Sequence, residues 1–232
     1  MGLTVTVGVP AEGDGAAEIE ADMKAINAAL KEAGHRTHKE PGKGEVWSAD
    51  GYFYYGLHAA REVAARLVYG EPIPRDRPIT GKESPTAERH YAELLERLLE
   101  APAVGFLKRL FGGGPALHDY AHLACHSDAE GYYVPVDFKA PVIPREIAAG
   151  TKHLWPLGSS QRLLDETTRL ARALEIPEGM GHGDAELQRW LEGADDTPEA
   201  LWQAHPIAAY SCLMLREAAQ RSVAAKAAIR FC

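Results

Sequence analysis

The stretch His118-Asp-Tyr-Ala-His122-Leu-Ala-Cys125-His126-Ser-Asp128-Ala-Glu130-Gly131-Tyr-Tyr-Val-Pro-Val136-Asp137-Phe138 decides how the chain is read. Two short apolar runs, 122–125 and 131–136, flank the polar turn 127–130, a pattern that predicts a β-hairpin at the centre of the fold. Proline cannot donate to a ladder, so Pro135 places the second run at a sheet edge or a bulge.

The flanking sequence supplies more strand and several helices. Residues 3–7 alternate apolar and polar and end at Gly8, as a half-buried strand does. Ile19, Met23, Ile26 and Leu30 fall on one helical stripe, with Gly34 placed for a left-handed cap. Residues 52–69 predict a second helix whose inner face is Leu57, Ala60, Ala64, Leu67 and Val68, with His58 and Arg61 beside it. Residues 71–82 are proline-rich and read as a surface loop, because neither side has enough apolar sequence for a core of its own. Ser84-Pro85 opens a third helix with a hydroxyl cap and proline at its first position. Gly158-Ser159-Ser160 caps a fourth, Asp184 and Thr197 start two short pieces, and Pro206 starts a long alanine-rich one. Residues 227–231 close as a last strand. The expectation is a single α+β domain over residues 1–232, with a small, mostly antiparallel sheet covered by several helices.

Composition narrows the function classes. The chain has 33 acidic and 25 basic residues, a formal net charge of −8. No basic run interleaved with aromatics offsets that repulsion, so nucleic acid is not expected as a partner. Three cysteines, Cys125, Cys212 and Cys232, form no disulfide framework and suit a reducing, cytoplasmic setting. No secretory leader or membrane-length apolar run occurs, so no membrane association is expected. Met1-Gly2 with Thr6 fits the short myristoylation pattern, but 3–7 reads better as a strand. Gly112-Gly-Gly114 lacks the Lys-Ser/Thr of a phosphate loop, and no Gly-x-Ser-x-Gly elbow, His-Glu-x-x-His or spaced cysteine pair is present.

The polar residues His118, His122, His126, Asp128, Glu130 and Asp137 are the candidate functional cluster. Imidazole and carboxylate offer lone pairs to a cation and exchange protons near neutral pH. On a strand His122 and His126 share a face; on a helix His118, His122 and His126 fall at i, i+4 and i+8. Either way imidazoles adjoin, and His122, His126 and Asp128 are the expected ligands if a divalent metal, zinc or manganese, binds. The structural alternative is turn capping by Asp128 and N–H acceptance by Asp137.

His126-Ser-Asp128-Ala-Glu130-Gly131 resembles the first motif of the DHH phosphoesterases, but no Asp-His-His follows downstream. Three blocks, 126–138, 157–164 and 210–222, resemble an uncharacterised family of bacterial cytoplasmic proteins. That resemblance implies a bacterial origin and a single domain, and carries no activity, cofactor or catalytic residue.

Two functional readings stand open. One is a protein-binding module of the inhibitor or immunity type, using an acidic surface and Tyr52, Tyr54, Tyr55, Tyr132 and Tyr133 as anchors against a protein partner. The alternative is a hydrolase, metal-dependent or acid/base, built on the cluster from His122 to Glu130.

Overall fold

The computed structural model describes residues 3–8, 16–42, 45–51, 55–100, 120–143 and 156–231. Among these, five strands form: β1 Leu3–Val7, β2 Trp47–Gly51, β3 Gly131–Val134, β4 Gly158–Ser159 and β5 Ile229–Phe231. The helices are α1 Ala16–Glu32, α2 Gly56–Tyr69, α3 Pro85–Glu100, α4 Ala121–Cys125, α5 Ser160–Ala173, α6 Ala185–Leu191, α7 Leu201–Ala204 and α8 Pro206–Ala225. Residues 101–119, with the glycines Gly112 to Gly114, lie outside the described residues.

The strands run in the order β2-β1-β5-β3-β4. All neighbours are antiparallel except β3 and β4, which pair in parallel. This is the α+β architecture with a small, mostly antiparallel sheet that the residue pattern predicts.

Alternation along the strands divides the core. Leu3, Val5, Val7, Tyr133, Ile229 and Phe231 join one cluster with α2, α5 and α8. Tyr132, Val134 and Ala228 point the other way and meet Ile19, Ile26 and Leu30 of α1. Each of those large apolar side chains contributes about 1.5 to 3 kcal/mol when fully removed from water. Covered on both faces, β3 is buried at all four residues.

The central hairpin does not form, which corrects the expectation drawn from 118–138. Residues 121–125 are a single helical turn, preceded by Tyr120 in the left-handed region at φ 58°. The deciding contact is remote: Glu166 on α5 accepts hydrogen bonds from the backbone N–H groups of His122 and Leu123, 3.1 and 2.8 Å. Those amides sit in the first turn of α4, where no helical carbonyl can reach them. β3 therefore finds its partners in β4 and β5.

Distant glutamates start two other helices. Glu62, buried on α2, accepts from Ala87 N–H at 2.9 Å in the first turn of α3, where Ser84 was expected to cap. Glu175 does the same for Leu201 N–H at the start of α7, 2.8 Å. Ser159 and Asp184 act as local caps for α5 and α6. The proline-rich loop is tied down by His205, whose Nδ1 accepts from Ile79 N–H and whose Nε2 donates to Pro74 O, 3.0 and 2.6 Å.

Candidate functional site

Asp128 lies in the turn between α4 and β3 and is gripped from α2. His58 donates through Nε2 to Asp128 Oδ2 at 3.0 Å, and Arg61 Nη1 pairs with Oδ1. Arg61 is buried and also donates to the carbonyls of Leu123 and His126, 2.9 and 2.7 Å. One guanidinium thus fixes the end of α4 and the turn after it, which its planar fork of donors suits. Burial alone would raise the Asp128 pKa; the His58 hydrogen bond and the Arg61 charge outweigh it and hold the carboxyl well below the usual carboxylate range.

His126 lies inside the protein. Its ring stacks on Tyr133 with centroids 4.1 Å apart and also meets Phe231. Nδ1 donates to Ser127 O at 2.9 Å, and Nε2 has no partner among the described residues. Burial pushes its pKa down to about 3, so the ring is neutral. His122 is also buried: Nδ1 accepts from Ser159 N–H at 3.1 Å and Nε2 donates to Lys139 O at 3.3 Å. Burial lowers its pKa to about 4. Both imidazoles hold loops together.

The predicted cluster is divided. His126, Asp128 and Glu130 line a cavity of about 480 Å³ with His58, Tyr91 and Cys125. His122 lines a different one of about 620 Å³, behind α5. Asp137 is exposed and pairs with Arg162, 2.7 Å from its Nε. His118 lies outside the described residues. Among the described residues no three His, Cys, Asp or Glu side chains stand together as a metal site would require. His122, His126 and Asp128, the expected ligands, instead hydrogen-bond to Ser159 and Lys139, to Ser127, and to His58 and Arg61 respectively.

Tyr132 and Tyr133, expected at a partner surface, fill the core. Tyr132 donates to the buried Asp22 at 2.7 Å and Tyr133 to the carbonyl of His122 at 2.9 Å. Their position in β3, covered on both faces, leaves neither ring for a partner. Tyr52 and Tyr54 lie outside the described residues, and Tyr55 is half-buried.

The charge is concentrated elsewhere. Residues 175–199 contain Glu175, Glu178, Asp184, Glu186, Glu192, Asp195, Asp196 and Glu199 against one base, Arg189. That is a net −7 of the chain's −8, so the remaining sequence is almost neutral. All eight carboxylate residues are exposed. The segment lies on the helical layer through Met180, Leu187, Trp190 and Trp202, all buried, with the two indoles edge to face at 6.5 Å. Its apolar residues turn inward and its acids outward. Gly179 and Gly193 have φ of 88° and 96°, a left-handed conformation that side chains rarely adopt, and shape the bends on either side of α6. Arg189 pairs with Asp196, and Arg75 with Glu175, both at 2.7 Å. The carboxylates of Glu178, Glu186, Glu192, Asp195 and Glu199 make no ion pair or side-chain hydrogen bond with another described residue. The overall charge obscured this run; counting charge by segment exposes it.

Among the described residues a five-stranded α+β scaffold carries an exposed, strongly acidic segment. Residues 1–231 match the family described as "Putative DNA-mimic protein", and the chain belongs to that family. No curated protein and no solved structure matches the chain.

Membership corrects two expectations. Neither the inhibitor- or immunity-type module nor its hydrolase alternative is what the family description names, which is a DNA-mimic protein. The partner expectation, an unspecified protein with nucleic acid set aside, is corrected by the same description, which ties the family to DNA through imitation of it. The physical reason is the same for both: a negative balance that repels DNA makes a protein resemble it. No described helix is long and apolar enough to cross a membrane.

Proposed function

We propose that the chain imitates the charge of duplex DNA and occupies the basic face of a DNA-binding protein, with residues 175–199 as the contacting surface. The observation that carries this reading is the confinement of seven of eight net negative charges to one exposed segment of a DNA-mimic family member. Duplex DNA carries about one charge per 1.7 Å of axis, so a net −7 equals roughly 12 Å of duplex. Such a patch suits one recognition element of a partner. Carboxylates on a folded scaffold also lack the condensed counterion layer of DNA. Binding should therefore weaken less steeply with salt than the partner's own DNA binding does.

In this reading the network of Arg61, Asp128 and His126 serves the scaffold. It fixes α4 and the turn before β3 through bonds internal to the chain. The acidic segment rests on α5 and α8, the layer that this scaffold positions.

The test is affinity capture from the source organism on the immobilised protein, followed by elution with short duplex DNA. The expected result is release of one or more proteins that bind DNA directly, at a duplex concentration near their own DNA affinity. Capture of proteins that duplex DNA cannot release, or that bind no DNA, would overturn the reading.

A further inference from the structure

On a chain this acidic, one cavity is lined by more cations than acids, Lys139, Arg162, Arg169 and Arg172 against Asp165 and Glu166. It lies along α5, where Arg162, Asp165, Glu166, Arg169 and Arg172 recur at i, i+3, i+4, i+7 and i+10 and so share a face. Lys139 and His122 also line it, and the volume is about 620 Å³, the size of a small-ligand site. The acids present are already engaged. Both oxygens of Glu166 hold the first turn of α4, and Asp165 stands 3.7 Å from Arg162. Arg162 is in turn held by Asp137.

The remaining cations are differently placed. Arg169 lies over the Tyr120 ring at 4.7 Å, which orients its guanidinium at the rim. Arg172 and Lys139 are exposed and form no ion pair with another described residue. Two cations without an ion pair to another described residue and an oriented third, lining one cavity, have the chemistry of an oxyanion site, since guanidinium forks match the geometry of phosphate and carboxylate.

We infer that this cavity binds a small, multiply charged oxyanion, a phosphate ester or a polycarboxylate, through Arg169, Arg172 and Lys139. A long polyanion is disfavoured, because Arg172 stands three residues before the acidic run that begins at Glu175. A small one is shielded from distant acids beyond a Debye length of about 8 Å. The inference is independent of the proposed DNA mimicry and can hold or fail without it.

The experiment is titration calorimetry of the full chain with pyrophosphate and, separately, with citrate, against sodium chloride of matched ionic strength. At least one of the two anions is expected to bind and raise the melting temperature. Which anion binds distinguishes phosphate from carboxylate chemistry. Arg172→Gln and Lys139→Gln change exposed side chains only, and together they should weaken binding by about tenfold or more, the effect of losing a charge-assisted contact. Each single variant should weaken it partially. No heat beyond the salt control with either anion, or equal binding by the double variant and the parent, would overturn the inference.

Discussion

Arg61 and Asp128, 67 positions apart in the chain, form an ion pair that joins α2 to the turn before β3. The same guanidinium holds the carbonyls of Leu123 and His126, so removing it leaves three acceptors without their donor. Arg61→Met should cost about 3 to 5 kcal/mol, as breaking one side of a buried pair usually does. Asp128→Asn, which keeps the shape and removes the charge, should cost roughly 1 to 3 kcal/mol. Urea denaturation at pH 7 measures both, and an Arg61→Met variant within about 1 kcal/mol of the parent would contradict the role assigned to the pair.

Acid should destabilise the fold through its buried histidines. The pKa values of His122 and His126 are lowered to about 4 and about 3 from 6.5, so both rings are neutral when folded. The unfolded chain takes up protons below about pH 6.5; the stability they contribute is fully present above that pH and declines as pH falls toward the folded values. Each accounts for about 2 kcal/mol between pH 7 and pH 5. His126→Phe keeps a ring on Tyr133 and removes one of the two buried imidazoles. Its loss of stability over that interval should be smaller than the parent's by about 2 kcal/mol, and an unchanged loss would show that His126 is not buried neutral.

Glu166 acts in the opposite sense. Burial raises its pKa to about 7 from the ordinary 4.5, while the amides of Leu123 and His122 and the charge of Arg169 pull it down. The folded state holds the proton more tightly, so this contribution is fully present below about pH 4.5 and is lost as pH rises through 7. It offsets part of the histidine effect. Glu166→Gln should therefore lose about 2 kcal/mol more than the parent between pH 7 and pH 5. Parallel pH profiles for the two proteins would contradict the assignment.

Cys125 and Cys212 are buried, and burial pushes both thiols up to about 12. Neither should react with an aromatic disulfide reagent in the native protein at neutral pH, and both should react once denaturant is added. Peptide mapping of labelled native protein gives the answer, and rapid modification of either cysteine would contradict their placement.

Much of this architecture was legible in local pattern. The alternation of Leu3, Val5 and Val7, the stripe of Ile19, Ile26 and Leu30, Pro85 at a helix start and the long helix from Pro206 all follow from short-range periodicity and backbone chemistry. The errors arose where a distant group decides. Nothing near His122 signals that Glu166 will satisfy two amides there, so residues 122–125, whose pattern predicts a strand, fall in a helical turn. Histidine and carboxylate density at 118–130 suggested shared chemistry, but helix α4 turns His122 toward one cavity and leaves His126 and Asp128 at another. The acidic run at 175–199 was fully visible in the sequence and was averaged away in the net charge of −8.

The central claim is that these carboxylates take the place of DNA phosphates. Its most direct test is displacement of a labelled duplex from a captured DNA-binding partner by the parent and by a variant carrying Glu178→Gln, Glu186→Gln, Glu192→Gln, Asp195→Asn and Glu199→Gln. All five sites are exposed and make no ion pair with another described residue, so the fold should persist. The parent should displace the duplex, and the variant should need at least about a hundredfold higher concentration, as loss of several charge contacts implies. Equal displacement by the two proteins, or none by the parent, would contradict the account.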